Sequence, residues 1–197
     1  MLTEVEEELE VWSESTEEKE STQPYHVAVN AVNCLSNDLG EKTVLVPFSS
    51  LVQACVKSPR WQERHAGFMV MGLIAEACKE SMAKNMTEAM TLACQGVADP
   101  EPRVRYAGLS CLGLLLTELA PKAQKKFHGE LLPVLLRLMR EEQMLKLQTH
   151  AVSTVINFVN GLSTQDDEEE SEEDSVIKHY SNELFQTLVA LLKRGIE

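Results

Sequence analysis

The sequence predicts an all-α solenoid built from helix pairs, and three observations lead there. Asp99-Pro100-Glu101-Pro102 is a turn, followed at once by apolar residues at 104, 107, 108, 111, 112, 115, 116 and 119. Those positions trace one face of a 3.6-residue period, and the prolines end one helix before the next begins. The pattern also recurs. Ala66, Ala107 and Ala151 head similar runs spaced by 41 and 44 residues, and a fainter copy begins at Ala28, 38 residues before Ala66. In the three clear copies, small or apolar residues stand at +1, +4, +5 and +8 from the alanine, as in Gly108, Cys111, Leu112 and Leu115. Finally, aromatics make up 5% of the chain and no β-rich segments bounded by paired turns are present, which argues against a sheet.

A period of about 40 to 47 residues with two helices per unit is that of HEAT or armadillo arrays. About three full helix pairs are expected, with a half repeat at each end. Residues 1–23, carrying nine acids and one lysine, lack helical periodicity and are expected to be an acidic disordered segment. The repeats then occupy 24–162. Residues 25–39 read as a second helix. Residues 42–57 read as a first helix with Val44, Leu45, Phe48, Leu51, Val52 and Cys55 inward and Pro47 in its first turn. After the turn Ser58-Pro59-Arg60-Trp61 comes a helix over 62–79. The next pair spans 84–98 and 103–119. The pair after that spans 122–141 and 145–161, with a kink or restart expected at Pro133. An acidic loop follows at 163–175, and 176–197 holds the first helix of a further, incomplete repeat. With no polar capping unit evident at either end, the sequence reads as a piece of a longer array.

Charge is unevenly placed. The chain carries 31 acids and 18 Lys or Arg, a net of −13. Residues 1–23 hold −8 of it and residues 166–174 another −8, which leaves a mildly basic helical body of +3. The second segment comprises Asp166, Asp167, Glu168, Glu169, Glu170, Glu172, Glu173 and Asp174 around Ser171. Such dense carboxylates repel one another, stay extended and speed capture of cationic partners. The plain alternative is a solvated connector between helices. Ser171 also sits in an acidic setting that suits an acidophilic kinase.

Beside the core face of each second helix, positions +3, +6 and +10 from the alanine form a strip: Met69, Gly72, Glu76; Ser110, Gly113, Thr117; Thr154, Asn157, Gly161. Small and polar residues stacked in this way suit a groove that admits another chain. Asn157 and Asn160 are the foremost expected groove contacts, with Glu76 and Thr117 beside them. Asp99 and Arg105, six residues apart around the turn, are read as structural members of an Asp–Arg ladder between repeats.

An enzyme is not expected. His26, His65, His128, His150 and His179 are dispersed without HxxxH or HExxH spacing, and no glycine-rich phosphate loop exists. His65, Tyr106 and His150 share one repeat position, which suggests packing. The five cysteines form no CxxC pair and read as reduced core thiols. No cofactor, no metal, no nucleic acid and no membrane are expected as partners: acidic segments repel phosphate, and no apolar run approaches a membrane span.

Several stretches together resemble the importin-β (karyopherin-β) family, closest to its karyopherin-β3 branch. They are Ser58-Pro59-Arg60-Trp61 with Arg64-His65-Ala66-Gly67, then Asp99 to Ala107, then Gln124-Lys125-Lys126-Phe127-His128, then Gln148-Thr149-His150-Ala151 with Ile156-Asn157-Phe158. The Lys-Lys-Phe-His stretch is specific, because generic HEAT arrays share only Asp-Pro-x-x-Arg-Val-Arg. The 163–175 loop is longer and more acidic than the resemblance would give. What the resemblance implies is a segment of a nuclear transport receptor that shuttles between cytoplasm and nucleus. It would bind basic protein cargo bearing nuclear-localisation signals on a concave face of second helices. Release would follow binding of the Ran GTPase in its GTP form, mainly through repeats outside this chain, and nucleoporins would be further partners. The alternative is a HEAT scaffold that holds protein partners without Ran dependence.

Overall fold

A computed structural model describes residues 2–5, 8–14, 24–162 and 172–194. Its helices are α1 (Leu9–Glu14), α2 (Pro24–Leu39), α3 (Glu41–Val56), α4 (Trp61–Leu73), α5 (Lys79–Lys84), α6 (Met86–Val97), α7 (Pro102–Glu118), α8 (Lys122–Glu141), α9 (Leu145–Leu162) and α10 (Glu172–Arg194). No strand occurs among the described residues. The elements stack as a solenoid. Second helices α2, α4, α7 and α9 pack side by side in one layer, while first helices α3, α6 and α8 each pack on their own partner and α10 lies against α8.

Helix α7 sits at the centre, against α4, α6 and α9. Its predicted face is buried throughout: Val104, Ala107, Cys111, Leu115 and Leu116 are fully enclosed, with Leu112 and Leu119 nearly so. Each such leucine contributes about 1.5–3 kcal/mol relative to exposure. Pro102 opens the helix at N1, where its missing N–H does no harm, and the Glu101 side chain accepts from Arg103 N. The neighbouring α8 supplies Leu131, Leu132, Leu135, Leu136 and Met139 to the same core.

Several expectations change. The second helix expected over 62–79 ends at Leu73: the Ala75 N–H bonds to Gly72 O at 3.0 Å, an i→i+3 contact that tightens the chain into a turn before α5. Pro47 lies in the second turn of α3, inside the helix rather than in its first turn. Leu51, expected inward, is exposed. No restart occurs at Pro133, because α8 runs unbroken from Lys122 to Glu141.

Both acidic segments hold more helix than expected. Within 1–23, Leu9–Glu14 is helical and Trp12 is buried at 4% exposure, so one indole supplies the apolar area that orders a short polar stretch. Residues 15–23 lie outside the described residues. At the other end α10 begins at Glu172, four residues before the expected start. Asp166, Asp167, Glu168, Glu169, Glu170 and Ser171 lie outside the described residues.

Candidate functional site

The layer of second helices carries a groove. It holds a cavity of about 410 Å³, bordered by Tyr25 and His26 of α2, Met69 of α4, Tyr106, Ser110 and Gly113 of α7, and His150, Thr154 and Asn157 of α9. The repeat puts them together: helices stacked in register bring equivalent positions of successive units into one strip. Five of these residues, Met69, Ser110, Gly113, Thr154 and Asn157, belong to the strip read from the sequence.

Asn157 borders the cavity. Its Nδ2 donates to Gly113 O at 3.5 Å, and a Cβ on Gly113 would come within 3.1 Å of that nitrogen, so the glycine makes room for the amide. The other expected contacts stand outside the cavity. Glu76 is exposed beyond the end of α4 and accepts from Asn37 Nδ2 at 2.9 Å, tying α2 to that turn. Thr117 is exposed and donates back to Gly113 O at 3.1 Å, an ordinary intrahelical bond. Asn160 is exposed on α9.

Aromatic and imidazole rings form the part that the strip did not foresee. Tyr106 stacks on His150 with centroids 4.3 Å apart. Ser110 donates to Tyr106 O at 3.0 Å and meets His150 Nε2 at 2.8 Å, so the Nε2 proton points to the Ser110 oxygen. Burial, then the nearby Lys146 ammonium, lowers the His150 pKa to about 4, and the ring is neutral at physiological pH. The shared position of His65, Tyr106 and His150 was the available signal. That position suggests packing, and two of its three residues, Tyr106 and His150, also border the groove.

Asp99 and Arg105 are not each other's charge partner. Asp99 accepts from Arg64 Nε at 2.8 Å and Nη2 at 3.0 Å, while Arg105 Nη2 donates to Glu142 Oε2 at 3.2 Å. They belong to successive rungs, and Glu142 fills the position where the ladder motif has Asp. Among the described residues no group of three or more His, Cys, Asp or Glu could hold a metal ion. No described helix is long and apolar enough to cross a membrane.

No family model matches the chain. A HEAT-repeat solenoid with a groove along its second helices defines the class of protein, and the homologues of this chain are importin-β family members. It is 26% identical over 197 residues to importin subunit beta-3 of Saccharomyces cerevisiae, covering 98% of this chain and 17% of that protein. It is 27% identical over 180 residues to a probable importin subunit beta-4 of Schizosaccharomyces pombe, covering 91% of this chain and 16% of that one. Among solved structures, Kap121p superposes with a TM-score of 0.85 at 26% identity, over 97% of this chain and 18% of that one. Kap121p has also been solved bound to Pho4p, to Nup53p and to RanGTP. The chain therefore spans about a sixth of the length of the relatives it matches.

Proposed function

We propose that this chain is a segment of a nuclear transport receptor whose groove binds basic protein cargo for import through the nuclear pore, with release by Ran-GTP. The observation that carries the reading is the superposition on Kap121p over nearly the whole chain, groove helices included. That structure's complexes with Pho4p, Nup53p and RanGTP make cargo, nucleoporins and Ran the partners to expect here. Charge supports the choice of cargo: residues 1–23 and 166–174 carry most of the chain's negative charge, and no carboxylate, lysine or arginine lines the cavity, so cationic segments are the ones drawn in. The role is binding rather than catalysis, and the protein would shuttle between cytoplasm and nucleus.

The test is binding of a lysine- and arginine-rich peptide to the 197-residue chain at rising salt. Affinity should fall by about tenfold or more between 50 and 500 mM salt, as exposed charges become screened. Asn157→Ala should weaken it further with the fold intact, and deletion of 166–174 should reduce the salt dependence. Binding indifferent to salt and to both changes would refute the groove and loop reading. Ran dependence is read on the native protein, captured from its own cells through an epitope tag. Peptide eluted by Ran-GTP and not by Ran-GDP supports the receptor, whereas equal retention in both would favour a scaffold.

A further inference from the structure

We propose that Trp12 is a positioning residue: it fastens the acidic amino-terminal segment beside the groove, so that Glu8, Glu10 and Glu14 contribute to holding a basic polypeptide there. The inference rests on the groove reading above and adds the element that supplies its charge.

The geometry begins with the indole. Trp12 meets Tyr106 edge-on, with centroids 5.6 Å apart and planes at 89°, the arrangement favoured by aromatic quadrupoles. The Lys146 ammonium lies 4.7 Å from the centre of the Trp12 ring and 5.5 Å from that of Tyr106. Its Nζ also donates to Trp12 O at 3.1 Å. One lysine thus binds the indole by a cation–π contact and the backbone by a hydrogen bond. In this way α1 is joined to the first turns of α7 and α9.

Tyr106 is the link to the groove. It holds Trp12 on one side, stacks on His150 on another, and borders the cavity together with His150. Trp12 itself does not line the cavity. Docking therefore leaves the groove open and sets the segment one residue layer away. The groove needs what the segment carries, because none of the residues lining the cavity is a carboxylate. A cationic partner finds aromatic faces, amides and hydroxyls there, and no opposite charge. Glu8, Glu10 and Glu14 are exposed on the docked segment and supply that charge.

The experiment compares Trp12→Ala, Trp12→Phe and the triple change Glu8→Gln/Glu10→Gln/Glu14→Gln in the full 197-residue chain. The probe is a fluorescent oligolysine peptide, titrated at low and high salt, with thermal unfolding followed in parallel. Trp12→Ala should weaken binding about five- to tenfold at low salt, and the loss should close at high salt, where the same charges are screened. The triple change should match that loss, and Trp12→Phe should recover most of the affinity by keeping a ring against Tyr106. A purely structural role for Trp12 would lower the unfolding temperature without altering the salt slope, which would overturn the proposal. Tighter binding by Trp12→Ala would also overturn it, by making the segment an obstruction. If the unaltered chain binds peptide and all three variants match it, this inference alone fails. If the unaltered chain binds none, the groove reading fails and takes this one with it.

Discussion

Arg64 grips Asp99 through two parallel bonds, Nε to Oδ2 at 2.8 Å and Nη2 to Oδ1 at 3.0 Å, and so fastens one turn of the solenoid to the next. The third arm of the guanidinium, Nη1, donates to Ser58 O and Pro59 O of its own turn, both at 3.1 Å. Arg105 repeats the arrangement one unit on. Its Nη1 donates to Asp99 O at 3.3 Å and Pro100 O at 3.1 Å, and its Nη2 reaches Glu142. Each arginine closes its own turn and reaches forward to the carboxylate of the following one.

That rung is partly buried, with the side chains 17% and 11% exposed, so it is worth more than a surface pair. Arg64→Ala or Asp99→Ala should each cost about 2–3 kcal/mol, since either leaves a half-buried charge without its partner. The double variant should cost clearly less than the sum of the two. Urea unfolding of the three variants measures this. Strict additivity would show that the two groups do not interact energetically.

Gly108 and Gly129 make opposite predictions for the same substitution. A Cβ on Gly108 would collide with the backbone of Gly96 and Val97, lying 2.9 Å from Gly96 Cα, because α6 and α7 cross there at closest approach. Gly108→Ala should therefore destabilise by about 1–3 kcal/mol. A Cβ on Gly129 meets nothing within 4 Å, in the middle of α8. Gly129→Ala should stabilise by about 0.5–1 kcal/mol, through the better helix propensity of alanine. Thermal unfolding of both reads the result, and equal shifts would contradict the crossing.

The solenoid was legible because its signal is periodic: a ruler alanine and four core positions repeat in the sequence, and the structure buries the same positions of α7. The groove strip was half legible for the same reason. Asn157 was found by its place in the repeat, whereas Glu76, Thr117 and Asn160, equally polar, stand outside the cavity. Trp12 was not legible at all. It is one aromatic in an acidic stretch without period, and its partners Tyr106 and Lys146 are about a hundred residues away or more. The ladder was legible by residue type but not by pairing, because the carboxylate that each arginine meets lies 35 or 37 residues further on.

The five thiols should react in order of burial. Cys34 is exposed, Cys55 and Cys94 are half-buried, and Cys78 and Cys111 are fully enclosed. Burial also raises the pKa of Cys55, Cys78, Cys94 and Cys111, which withholds the thiolate that alkylation requires. Iodoacetamide at pH 8, followed by mass spectrometry of peptides, should modify Cys34 first and Cys78 and Cys111 only on unfolding. Labelling of Cys111 as fast as Cys34 would show that the α6–α7 core opens readily.

The two buried imidazoles predict a loss of stability in mild acid. His65 is lowered to about 3 by burial and then by Arg103, and His150 to about 4 by burial and then by Lys146. In the unfolded chain both titrate near the usual 6.5, so between that pH and their folded values the unfolded state binds more protons. Stability is then full above about pH 6.5 and falls as the pH drops toward 4, by about 1–2 kcal/mol per histidine between pH 6.5 and 5. Replacing the ring while keeping a hydrogen-bond donor for Ser110, as in His150→Gln, should remove one histidine's share of that slope. Chemical denaturation at pH 7.5, 6.5, 5.5 and 5 measures it, and a slope unchanged by His150→Gln would show that His150 is charged when folded.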